Sequence, residues 1–384
     1  MPKFRLTVLV ALAGVCTVVV AASASASHGG GAAPVVGQLY VNDNTTGLNT
    51  VAGYDRHADG TLTPLSGSPF AVGGAGLGTS DASQGSLQLS ADGRYLLAVD
   101  SGSNQISVLR IKPDGSLQIA EGSPTSSNGV NPVSIAVSGG LVYVANAGPG
   151  GTNYTGFTLN PGGHLRPIAG STVSLPDKAQ PGDVLFSGDG SKLVGTRVAT
   201  SQIDSFTVGG DGLLTAASGS PFAAQGLGPF GSEFRPTDPT QLFVSNAHNG
   251  GMNLGTVSAF ADGADGTLTS IGASPFGDLQ NAPCWVEISH DGQYLFAVNT
   301  ASSSVSSYSI ASNGTLALIG STSFNASVGP EDARLSPDGS TLWVVDAGGH
   351  EVSGFSVSGG TLTQLVSSPT AAPVGATPSG IVVT

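Results

Sequence analysis

Over residues 283–330 the chain alternates apolar and polar positions in four short runs, PCWVEISHDG, QYLFAVN, SSVSSYSI and NGTLALIGS. Each run is rich in Val, Ile, Tyr or Phe, or alternates strictly. Each stops at turn residues such as Asp291-Gly292 or Asn313-Gly314, which is the pattern of antiparallel strands joined by tight turns. One four-stranded meander cannot bury both of its faces, so the unit predicts several copies stacked on one another. Five further copies open at Gln84, Pro132, Pro181, Pro229 and Pro330, each with four strands. A first unit has only three, at 38–42, 51–56 and 61–63.

The chain ends PSGIVVT, which aligns with PVSIAVS, the opening strand of the third unit. In that unit LVYVAN comes next, and its likeness QLYVND stands near the amino terminus instead. The C-terminus is therefore predicted to supply the missing strand of the first unit and to close a ring without free edges. The expectation is an all-β, seven-bladed β-propeller over residues 37–384. A count of eight or six stays open if a weak unit, the fourth above all, is misread.

Loop lengths give the ring two unlike faces. Turns between first and second and between third and fourth strands are short. The longer connections fall on the other face: 66–83, 147–153, 247–254 and the Gly-Ser-Pro-Phe segments after the fourth strands. A ligand site is expected on that face, because loops on a rigid scaffold carry function.

Aligned on their opening residue, the first strands are mostly apolar at the third and fifth positions after it, as at Ile135 and Val137 or Val286 and Ile288. The second and fourth positions alternate to the other side and hold Gln88, Asp183, Glu233, Trp285, Glu287, Asp332 and Arg334. First strands are innermost in a propeller, so these side chains are predicted to face the central channel. Glu233, Glu287 and Arg334 come from successive blades. They are the candidate catalytic set, since two carboxylates and an Arg can serve acid/base chemistry or hold a polar group. Asp183 and Asp332, nearer the long-loop mouth, and Trp285 are candidate binding residues, and a polar lining of a wet channel is the alternative for all of them.

Composition adds the compartment. Lys3 and Arg5 precede an apolar run to Ala22 with small residues after it, which predicts a secretory signal peptide over 1–26, or an uncleaved anchor. A flexible lead-in is expected over 27–36. Cys16 lies in the apolar run behind a bulky Val15, which fits lipidation poorly, and Cys284 is the one other Cys. No internal disulfide can form after cleavage. A formal net charge of −13 offers no surface for nucleic acid or anionic membrane. A secreted monomer without membrane insertion is expected.

Other chemistry is sparse. The six His residues show no metal-ligand spacing, so neither a metal nor a cofactor is called for. His248, in the long loop of the fifth unit, is the one His singled out as a binding candidate. Asp262 and Asp265 sit in an Asp/Gly turn without the spaced ligands of a calcium loop, and a solvated turn is expected there.

The strands VYVAN, LFVSN and YLFAVN, with the SPDG and DGTLT turns, resemble the lactonase family of seven-bladed propellers. That family includes 6-phosphogluconolactonases and carboxymuconate lactonizing enzymes, and surface-layer proteins with YVTN repeats are similar. The resemblance implies a lactone-opening hydrolase with an active site at the ends of blades four to six. Where the family has Pro-His in blade four, this chain has Pro181-Gly182. Where it has Gly-Pro-Arg-His in blade five, Gly228-Pro229-Phe230-Gly231 stands here. Asn246-Ala247-His248 replaces Asn-Glu-Leu, and Asn299-Thr300-Ala301 replaces Asn-Arg-Gly. With that set absent, the expectation is a secreted binding or scaffold propeller offering its long-loop face to a small molecule, glycan or protein. The alternative is a lactonase-type hydrolase or isomerase with a relocated site.

Overall fold

The computed structural model describes residues 33–80, 83–326 and 329–384, and Pro34–Thr384 form one compact unit. The expected signal peptide and most of the expected lead-in lie outside the described residues. The unit is a ring of seven antiparallel sheets. Blade 1 runs Gly380–Val383, Val35–Asn42, Thr50–His57 and Leu62–Pro64 from the axis outward. The inner strands of blades 2 to 7 are Leu87–Leu89, Pro132–Ser138, Pro181–Phe186, Pro229–Arg235, Pro283–Ile288 and Pro330–Leu335.

Closure follows the expected route. Val35–Asn42 pairs on its inner side with the C-terminal strand in the register Leu39 to Val383 and Asn42 to Gly380. The guanidinium of Arg56 donates to the Thr384 carbonyl at 2.8 Å, fastening the seam from the neighbouring strand. The first strand starts at Val35 rather than at residue 38, because Val35 already pairs with His57 across a bulge. Residues 35 and 36 are therefore sheet and not lead-in.

Strands this short with Val, Leu, Tyr and Phe on both faces can be buried only between neighbouring sheets, and the core is accordingly a set of inter-blade layers. One layer joins Leu97, Val99 and Val108 of blade 2 to Ile135, Val142, Val144 and Phe157 of blade 3. Two of the layers are locked at the rim by a second-strand tyrosine gripping the next blade's outer turn. Tyr40 donates to the Gly115 carbonyl at 2.7 Å and Tyr143 to the Gly212 carbonyl at 2.8 Å. In blade 4 that position is Val194, and two residues before it the Lys192 ammonium meets the Asp262 carboxylate of blade 5 at 2.9 Å with both side chains buried. Asp262 is thus not the solvated turn residue expected, since Lys192 of another blade turns inward onto it.

The Gly-Ser-Pro-Phe segments also differ from expectation. They are not long-loop connections but the resumed outer strand, with Phe70–Ala71 pairing back onto Thr50 and Val51 and the same arrangement at Phe222–Ala223 and Phe276–Gly277. Where the strand breaks, the Ser hydroxyl accepts the orphaned N–H of the third strand: Gly53 to Ser68, Val108 to Ser123, Ser205 to Ser220 and Gly354 to Ser368, at 2.8–3.0 Å. A buried N–H without a partner would cost stability, which accounts for a Ser at each break.

Candidate functional site

The channel is not open. Ser83, Gln84 and Gly85, leading into blade 2, touch blades 3, 4, 5, 6 and 7, which only a segment lying on the ring axis can do. The Ser83 hydroxyl donates to the Val133 carbonyl, and the Gln84 N–H donates to the Gly182 carbonyl. The Gln84 amide donates to the carbonyls of Ser232 and Val286 at 3.1 and 3.2 Å and accepts from the Val286 N–H at 3.1 Å. The Gly85 N–H reaches the Asp332 carboxylate. Opposite, Gly231 lies so close that a Cβ there would collide with the Gln84 side-chain oxygen. This plug separates the long-loop mouth from the short-turn end.

Three predicted binding residues belong to the plug's setting. Trp285 is 2% exposed, donates its indole N–H to the Ser83 carbonyl at 2.6 Å and packs edge-on against Phe230. Asp183 accepts from the Ser232 N–H and hydroxyl at 2.9 and 2.6 Å and from the Ser134 hydroxyl at 3.2 Å, tying blades 3, 4 and 5. Asp332 accepts from the Ala333 N–H at 2.9 Å and lies 3.7 Å from the Arg334 guanidinium. All three are buried and partnered, so they hold the centre of the ring rather than present a ligand surface. Burial pushes Asp183 up to about 7 against its hydrogen bonds with Ser232 and Ser134, and Asp332 up to about 6 against the pull of Arg334.

The candidate catalytic set lies two residues further along the inner strands, on the short-turn side of the plug. Glu287 meets the Arg334 guanidinium at 3.2 Å and accepts the Leu335 N–H at 3.0 Å, so the pair bridges blades 6 and 7. Glu233 of blade 5 is half-buried and within the field of both. Desolvation first, and then the Glu287 carboxylate, raise its pKa well above the ordinary range, with Arg334 opposing. For Arg334 itself, burial would favour the neutral form, but Asp332, Glu287, Glu233 and Asp183 outweigh it and hold the cation. Glu233 faces a depression of about 550 Å³ walled by Phe186, Asp189, Arg235, Pro236 and Pro239 at the short turns of blades 4 and 5. The three residues do gather, but behind the face where a ligand was expected.

At the long-loop mouth, a pocket of about 310 Å³ is lined by Ser80, Asn131, Ala147, Gln180, Pro181, Val198, Phe230 and His248. His248 is exposed, and its ring makes no hydrogen bond among the described residues. Its backbone N–H donates to the Leu227 carbonyl at 2.9 Å, and Gly228 abuts the imidazole so closely that no side chain fits there. The side-chain oxygen of Asn131 is buried without a donor. Sequence reasoning found His248 but missed the rest, which arrive from blades 3, 4 and 5 and from the connection into blade 2 with no shared motif. Among the described residues no three His, Cys, Asp or Glu side chains are placed to hold a metal.

The family description "Lactonase, 7-bladed beta-propeller" matches residues 234–378. Over that stretch the chain is similar to this family, and its ring has the same seven blades. Among solved structures the chain is similar to a candidate 6-phosphogluconolactonase from Bacteroides uniformis, at 20% identity and TM-score 0.72 over 90% of this chain and 98% of that one. It is also similar to the periplasmic gluconolactonase of Pseudomonas aeruginosa, at 19% identity and TM-score 0.70 over 90% and 98%. No curated protein matches the chain. Such identities show the fold alone. Within the lactonase-like ring, the mouth pocket is built at the positions where the resemblance called for catalytic residues. Pro181 opens blade 4, Phe230 stands where an Arg was expected in blade 5, and Ala147 and Val198 add apolar wall.

Proposed function

We propose that this lactonase-like propeller is a secreted binding protein that takes a small uncharged ring, of lactone or sugar size, at the long-loop mouth. The carrying observation is the lining of the mouth pocket: Phe230, Val198, Ala147 and Pro181 supply apolar walls, His248 and Asn131 supply polar points, and no Lys or Arg is present. A pocket of that volume suits a single ring. A phosphorylated sugar would bring its charge to a mouth with no permanent cation, which disfavours it. The test is equilibrium binding of δ-valerolactam, a hydrolysis-resistant ring, beside a phosphorylated sugar lactone. The neutral ring is expected to bind and to weaken about tenfold in His248→Ala, the loss of one good hydrogen bond to a ligand. Preference for the phosphorylated compound, or indifference to His248→Ala, would overturn the proposal.

A hydrolase reading is favoured by one specific observation, the gathering of Glu233, Glu287 and Arg334 beneath the depression at the other end. A carboxyl whose proton affinity is raised by burial beside an ion-paired carboxylate is the arrangement of a general acid with a charged neighbour. The names of the similar gluconolactonases add weight to it. Under this reading the mature chain opens sugar or aromatic lactones, and Glu233→Gln abolishes turnover while His248→Ala does not. Glu233→Gln is the informative variant, because changing Glu287 or Arg334 also breaks an inter-blade ion pair.

A further inference from the structure

Beside the mouth, the loops of blade 5 carry a run of exposed apolar side chains that the ring gives no partner. Leu227 is 55% exposed, Met252 81%, Leu254 52% and Leu279 64%. The loops that carry them adjoin one another. The Leu227 N–H donates to the Asn249 side chain at 2.8 Å, and the Asn249 amide donates to the Leu254 carbonyl at 2.8 Å. Next to Leu254, the Gly255 N–H donates to the Gln280 carbonyl at 2.9 Å, beside Leu279. The patch is continuous with the pocket, since the Leu227 carbonyl accepts the N–H of His248 and Leu227 leads through Gly228 and Pro229 to Phe230. These loops are held by their own polar side chains, so the apolar ones are displayed by a fixed frame.

Given the reading of the mouth above, on which it rests, we infer that the ligand is a ring bearing an apolar chain, the ring in the pocket and the chain laid across Leu227, Leu254 and Met252. Two observations favour this occupant over a charged one. The pocket and the patch together contain no Lys, Arg, Asp or Glu among the residues named. Leu227, whose carbonyl accepts the His248 N–H at the pocket edge, is itself exposed, so an apolar chain leaving the ring there would meet apolar side chains. Each methylene buried there is worth roughly two- to fourfold in affinity, from the transfer free energy of a CH₂ group, the upper end applying to full burial.

The test uses the mature chain and γ-lactams carrying alkyl chains of increasing length, measured by calorimetric titration. The expected result is affinity rising about two- to fourfold per methylene over the first several carbons. In the triple variant Leu227→Ser, Met252→Ser, Leu254→Ser, the ratio between the long-chain and unsubstituted rings is expected to fall towards one. The three side chains are solvent-exposed, so the fold should persist, and a circular dichroism melt checks this. A ring bound without regard to chain length overturns the inference and leaves the mouth reading in place. Failure of every ring to bind overturns both. Self-association that the triple variant abolishes, with no chain-length dependence in the wild type, would assign the patch to contact between copies and overturn the inference equally.

Discussion

Asp183 shows how burial and function part company at single residues. Alternation onto the channel side of its strand makes it a binding candidate, and it does lie there, but Ser134 and Ser232 occupy both of its oxygens. Its raised pKa of about 7 has a consequence for stability. A carboxyl raised in the folded state binds its proton more tightly than the unfolded chain does. The stability it adds is present below the ordinary carboxylate range and is lost as pH rises through about 7. Asp332, at about 6, and Asp43, pushed by burial to about 7, act in the same direction. The melting temperature is therefore expected to be higher near pH 5 than near pH 8. The difference should shrink in Asp183→Asn, where every tenfold of extra proton affinity abolished is worth about 1.4 kcal/mol. Thermal melts at the two pH values check this, and equal differences in the two proteins would count against it. Lys192→Ala should destabilise by roughly 3 kcal/mol because it leaves Asp262 buried without its cation, an effect read by urea unfolding.

Among elements, the plug has the largest reach. Ser83–Gly85 is a short segment, yet its hydrogen bonds join blades that no sheet ladder joins. Removing the Gln84 side chain leaves the Ser232 carbonyl and both backbone groups of Val286 short of partners at the centre of the ring. Gln84→Ala is therefore expected to cost roughly 2–4 kcal/mol, from unsatisfied buried polar groups. Gly231→Ala should cost a comparable amount by pushing against the same side chain. Because both act through one contact, the double variant should be less destabilised than the two losses added, and chemical denaturation of the four proteins closes the cycle. Strict additivity would mean that Gln84 does not make the contact described.

The molecule as a whole is a ring with two ends that do not communicate through its centre. Ligand binding at His248 and any chemistry at Glu233 should respond to mutation independently, and a coupling between them in paired measurements would argue that the plug moves. Ring closure concentrates stability in one seam. Deleting residues 378–384 removes the partner of Val35–Asn42 and bares its inner edge, so the truncated chain is expected to aggregate or to expand on size-exclusion chromatography. An unchanged elution volume and melt would refute that dependence.

The sequence by itself determined the ring. Period-two alternation, Asp-Gly turns and the likeness of PSGIVVT to PVSIAVS specify four-stranded units and the closing strand, because these are local patterns repeated along the chain, and the seven sheets of the structure fix the count. It also placed Glu287 and Arg334 on one side of neighbouring strands, where they meet. Only the tertiary structure decided what the centre and the mouth became. Gln84 finds its partners 148 and 202 residues away, and no local pattern marks a residue that crosses an axis. Asp262 is a turn residue until Lys192 of another blade reaches it, and the Ser of each Gly-Ser-Pro-Phe segment reads as loop until the N–H it satisfies is seen. The mouth depends on Asn131, Val198, Phe230 and His248 arriving together from separate loops. Loop geometry on a closed ring fixes that meeting, and the alternation of apolar and polar residues does not encode it.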